Sequence, residues 1–77
     1  MASAVGLRID SDGAGLRRLA RLGGHANQVR RLLALAVIYD GGARHVAARV
    51  GGVGLQTVRD WVLRFNAQGP DGLLDGK

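Results

Sequence analysis

Glycine clusters cut this sequence into four short pieces, and that punctuation limits the folds open to it. Gly13 and Gly15, Gly23–Gly24, Gly41–Gly42, the group Gly51, Gly52 and Gly54, and Gly69-Pro70 each mark a turn or a break. Between them the apolar residues recur at helical spacing. The first piece runs from about Ala14 to Leu22, with Asp12 as its N-cap. It sets Leu16, Leu19 and Ala20 on one face, and Arg17, Arg18 and Arg21 mostly on the other. The second runs from about Ala26 to Tyr39. Its stripe of Val29, Leu32, Leu33 and Ala36 is joined by Leu35, Val37, Ile38 and Tyr39, so it is apolar nearly all round, as a central helix is. Gly41 follows as a natural C-cap. The third, about Ala43–Val50, has only two turns. The fourth, about Leu55–Gln68, carries Val58, Trp61, Val62 and Phe65 on one face and stops at Gly69-Pro70. No piece alternates as a strand does. The expected fold class is all-α, a small bundle of four short helices.

Composition narrows the function classes. In 77 residues there is room for one small domain, and 47% apolar residues suffice for a core. The longest apolar run, Leu32–Tyr39, is far below the roughly 20 residues that span a bilayer, and Met1–Ile9 lacks the pattern of a signal peptide. There is no cysteine, hence no disulfide or thiolate metal site. His25 and His45 are twenty residues apart with no carboxylate in a ligand pattern, so no metal or other cofactor is expected. Six acidic residues, all aspartate, offer little for catalysis, and no nucleophile is paired with a base. The chain is read as a non-enzyme with no small-molecule ligand and no membrane partner. Ten of its eleven cations are arginine and the net charge is +5, which makes nucleic acid the leading partner.

The stretch Ala43–Phe65, ARHVAARVGGVGLQTVRDWVLRF, carries the functional signal. A two-turn helix, a glycine turn and a longer helix form a helix-turn-helix pattern. Ala48 is small enough for the two axes to cross closely, and Gly52 suits the positive φ of the sharp turn. Val53, Val58, Trp61 and Phe65 anchor the second helix. Gln56, Arg59, Asp60 and Leu63 then line its opposite face, free to enter a major groove. Arg59 suits a bidentate pair to guanine, Gln56 adenine, and Asp60 the N4 amine of cytosine. Arg59 equally suits a phosphate, and Asp60 an i, i+4 pair with Arg64. Leu55 extends the apolar stripe toward Val58 and is expected in the core. Backbone contacts are expected from Thr57, Arg64, Arg44 and Arg49, and from Arg17, Arg18, Arg30 and Arg31 on the earlier helices. Residues 7–31 carry net +4 and residues 43–66 net +3.

RRLLALAVIYDG, followed by HVAARVGGVGLQTVRDWVLRFNAQGPDGLLD, resembles the N-terminal helix-turn-helix of bacterial insertion-sequence transposases of the mariner-like superfamily. The tail Phe65–Asp75 is its most specific part, and the likeness covers about residues 7–75. It implies a homeodomain-like or paired-like fold that recognises the terminal inverted repeats of a mobile element. In that family a second DNA-binding unit and a ribonuclease-H-like domain follow, whose three carboxylates hold two metals; none of this lies in these 77 residues. On this likeness, residues 1–9 are a flexible lead and 10–68 the DNA-binding domain, with the helix-turn-helix at 43–66. Residues 69–77 lead toward the absent linker. The chain is expected to be part of a longer protein or the remnant of a disrupted gene, acting on the nucleoid in a bacterial cytoplasm. Ala43 stands where the family prefers a capping serine, and Gly54-Leu55 where a polar cap and often a base open the recognition helix. Such changes fit a decaying element, or one whose specificity sits in the second unit.

Two other readings remain. The module could be a free-standing transcriptional regulator. It could instead bind protein, with Ile38 or Tyr39 of the apolar second helix exposed for a partner or a second copy. A homodimer or a further DNA-binding unit would supply the specificity that one module lacks.

Overall fold

The computed structural model describes residues 6–22 and 26–73. Four helices follow one another: α1 (Gly13–Arg21), α2 (Ala26–Tyr39), α3 (Arg44–Gly51) and α4 (Leu55–Gln68). A 3₁₀ turn over Gly69–Leu73 completes the chain. No strand occurs among the described residues, and none of their helices is long and apolar enough to cross a membrane. The all-α bundle expected from the glycine spacing is what forms.

Local chemistry sets the boundaries. The Asp12 carboxylate accepts from the Gly15 amide at 2.7 Å and opens α1. α2 and α3 end in the same way. Gly41 and Gly52 take φ of +91° and +71°. After α2, the Gly41 amide donates to Ile38 and the Gly42 amide to Val37. After α3, the Gly52 amide donates to Arg49 and the Val53 amide to Ala48. These paired bonds satisfy carbonyls that a helix end leaves open, and the positive φ they need explains the glycines.

α2 runs through the centre, packed on α1, α3, α4 and the closing turn. The core gathers Leu16, Leu32, Ala34, Leu35, Ala36, Ala47, Ala48, Val58, Trp61, Val62, Phe65 and Leu73. Ala47 and Ala48 let α3 lie close to its neighbours. Gly51 meets the edge of Trp61, where a β-carbon would sit 2.7 Å from Cζ3 and 2.8 Å from Cη2.

Several expectations are revised. The lead segment 1–9 is not loose over its described part. The Arg8 amide donates to Asn66 Oδ1 at 2.9 Å, Asn66 Nδ2 donates to the Gly6 carbonyl at 2.8 Å, and the Tyr39 hydroxyl donates to the Arg8 carbonyl at 2.6 Å. Ile38 and Tyr39 are not an exposed docking face. Both are partly buried, and Tyr39 meets Phe65 edge-on at 6.1 Å between ring centres. Leu19, expected inside, is 37% exposed, and Leu55, the first residue of α4, is 58% exposed. The tail does not simply lead away from the domain. Residues 69–73 fold back so that Leu73 is fully buried, and Gly72 lies so near α4 that a β-carbon would come within 2.5 Å of the Arg64 carbonyl oxygen. His25, the first five residues of the flexible lead and residues 74–77 of the tail fall outside the described residues.

Candidate nucleic-acid interface

The helix-turn-helix is formed by α3 and α4 joined through residues 52–54. Ala48, Val58, Trp61 and Phe65 are buried, Val53 is packed against the core, and Gly52 makes the turn. Each sits where the motif requires. With one face of α4 fixed inward, the other points away from the protein. Gln56, Arg59, Asp60 and Leu63 are all exposed, as is Arg64. The four lie at i, i+3, i+4 and i+7, so one side of a straight helix presents two long polar groups, a carboxylate and an apolar tip together.

Asp60 and Arg64 form no ion pair, although their spacing allows one; among the described residues Arg8 pairs with Asp10 and Arg17 with Asp40. Among the described residues the side chains of Gln56, Arg59 and Asp60 have no hydrogen-bond or ion-pair partner. At the start of α4, Gly54 supplies no side-chain cap, and the first intrahelical bond runs from the Val58 amide to the Gly54 carbonyl. The amides of Leu55, Gln56 and Thr57 lack backbone acceptors within the helix, with Thr57 half-buried beside them. Such a helix start, with its positive dipole end, suits a phosphate oxygen. Ala43 likewise leaves α3 without a side-chain cap.

The supporting arginines divide into two groups. Arg18, Arg30 and Arg49 are exposed, and Arg44 is half-buried in the first turn of α3. Arg31 and Arg17, expected on the phosphate-gripping side, do structural work. Arg31 donates to the Leu73 carbonyl at 2.9 Å and lies 5.7 Å above the centre of the Trp61 ring, which ties α2 to the closing turn and to α4. Arg17 is ion-paired with Asp40 and joins α1 to the end of α2. Neither role was legible locally, because Leu73 is 42 residues from Arg31 and Asp40 is 23 from Arg17.

Asn66 and Arg8 were not singled out in the sequence. Asn66 uses both ends of its amide to hold the backbone of residues 6 and 8. Arg8 donates through Nε and Nη2 to Asp10 at 2.7 and 2.8 Å, and through Nη1 to the Phe65 carbonyl at 3.2 Å. This exposed pairing moves Arg8 above and Asp10 below their ordinary pKa values, chiefly through the hydrogen bond between them. A guanidinium beside the last turn of α4 also complements the negative end of its dipole. The only advance signal was a lone asparagine near the end of an amphipathic helix.

Comparison with known proteins agrees with this geometry. The chain is 71% identical over all 77 residues to "Uncharacterized protein y4pG/y4sC" of Sinorhizobium fredii (strain NBRC 101917 / NGR234), and it spans 40% of that relative's length. No solved structure matches. Residues 31–77, which take in most of α2 and all of α3, α4 and the closing turn, match the family described as winged helix-turn-helix. The chain belongs to the winged helix-turn-helix family, a DNA-binding family common in transposases.

Proposed function

We propose that this chain is the sequence-specific DNA-binding module of a transposase, and that it recognises the terminal inverted repeats of a mobile element by seating α4 in the major groove. The observation that carries the reading is the outward face of α4. Gln56, Arg59 and Asp60 stand exposed, with their hydrogen-bonding groups unused, on a helix whose other face is locked into the core. Arg59 reads guanine, Gln56 adenine and Asp60 cytosine, while Leu63 offers an apolar contact to a thymine methyl. Arg64, Arg49, Arg44, Arg30, Arg18 and the open amides at the start of α4 set the register on the backbone. The chemistry of strand transfer lies outside these residues, which bind DNA without cleaving it.

The test is an electrophoretic titration against duplexes bearing the inverted repeats that flank the gene, beside scrambled duplexes of equal composition. Tighter binding to the repeats is expected, together with a selective loss in Arg59→Ala worth about 1–3 kcal/mol. Equal affinity for repeat and scrambled duplex would refute end recognition. Flanking DNA that lacks repeats, with specific binding to a promoter instead, would favour a free-standing regulator.

A further inference from the structure

The first helix carries apolar side chains that DNA recognition does not use. Ile9 is fully exposed, Leu22 is 78% exposed and Leu19 37%. They border an open depression whose walls include Asp10, Asp12 and Arg18. All of it precedes residue 31, outside the stretch that matches the DNA-binding family. Apolar groups gathered on one side of a short helix mark a contact surface more readily than scattered ones do.

Charge selects the occupant. A chain of net +5, with +4 over residues 7–31 and +3 over residues 43–66, repels its own copies in most orientations. Around the depression internal pairing reduces the excess to a single positive charge. Asp10 is paired with Arg8 and Arg17 with Asp40, which leaves Asp12 at the start of α1 and Arg18 and Arg21 toward its end. Acid at one end and base at the other is self-complementary about a two-fold axis. Antiparallel pairing sets each Asp12 near the second copy's Arg18 and Arg21, closes Leu19, Leu22 and Ile9 between the helices, and opposes the two dipoles favourably.

We infer that the α1 depression is the contact through which two copies of this chain associate, as an antiparallel pair of α1 helices. At about 1.5 Å per residue, nine residues make a short contact, below the roughly 1,200 Å² of standard interfaces. The pair is therefore weak in free solution. It strengthens when two copies occupy neighbouring half-sites, where the effective concentration is on the order of millimolar.

The full 77-residue chain is examined by sedimentation and by amide chemical shifts as its concentration is raised to about 1 mM. The average mass is expected to rise above the monomer, with shift changes confined to residues 9–22. Ile9→Asp with Leu22→Asp replaces exposed side chains, so the circular dichroism spectrum is expected to stay unchanged while the concentration dependence disappears. Arg18→Asp is expected to weaken association through like charge opposite Asp12. A mass independent of concentration, shift changes on α2–α4 instead, or unaltered association in the double variant would each overturn the inference. Binding to a single-site duplex, expected to be equal in wild type and in the Ile9/Leu22 double variant, reads DNA recognition separately.

Discussion

Replacing Gly51 by alanine sets two effects of opposite sign against each other. Gly51 is the last residue of α3 and has an ordinary negative φ, so alanine there should gain up to about 1 kcal/mol from helix propensity alone. The new methyl, however, would sit 2.7 and 2.8 Å from Trp61 Cζ3 and Cη2, closer than carbon atoms tolerate. Trp61 has little freedom to move. It is 6% exposed, with the Arg31 guanidinium over its face. Overpacking of this kind costs about 1–3 kcal/mol. The net expectation is a loss of about 1 kcal/mol, which lowers the melting midpoint of a domain this size by about 4–8 °C. Thermal melts followed by circular dichroism measure it, and the single tryptophan reports the local rearrangement by fluorescence. The control is the same substitution with Trp61→Phe, whose smaller ring lacks the obstructing edge. There Gly51→Ala should be neutral or stabilising, giving a coupling between the two sites. A midpoint that rises in the wild-type background, or falls equally in both, would refute the steric account.

Three other perturbations address separate parts of the fold. Asn66→Ala removes both bonds to residues 6 and 8, should cost about 1–3 kcal/mol, and should speed hydrogen exchange at the Arg8 amide. Arg31→Ala should destabilise the domain yet leave the salt dependence of DNA binding unchanged, whereas Arg49→Ala should leave the melt unchanged and reduce the salt slope by about 1 if Arg49 grips phosphate. Burial raises the Tyr39 hydroxyl above its ordinary pKa of 10.0, so its contribution is intact below that value and is lost as pH climbs through the higher native one. Melts at increasing alkaline pH should show that fall, and Tyr39→Phe should flatten it.

What the sequence made legible was local in origin. The limits of α2 and α4, the Asp12 cap and the turn at Gly52 follow from periodicity, capping chemistry and backbone freedom, which neighbouring residues determine. The outward row on α4 could be placed because Trp61 and Phe65 fix the inward one. The misplacements share a different cause. Leu19 and Leu55 have the right spacing for the core, but whether a stripe is covered depends on how far the neighbouring element extends. Arg17 and Arg31 look like surface cations until Asp40 and Leu73 arrive from distant parts of the chain. The alternative that leaves Ile38 or Tyr39 exposed stays open in the sequence because nothing local announces that the Arg8 carbonyl and Phe65 will meet Tyr39.

The fastening of residues 6 and 8 to Asn66 also bears on how the domain opens. It closes a loop of about 60 residues, whose ordering entropy must be met before the two hydrogen bonds contribute anything. The lead segment should be the last part to dock in folding and among the first to detach in a native-state fluctuation, ahead of the core around Phe65. Detachment withdraws Arg8 from the Phe65 carbonyl and takes its partner from the Tyr39 hydroxyl, so the final turn of α4 frays with it. Excising residues 31–77 alone would make that frayed state permanent and would uncover the side of α2 on which α1 packs. The smallest stretch expected to fold is therefore longer than residues 31–77, the stretch that matches the family.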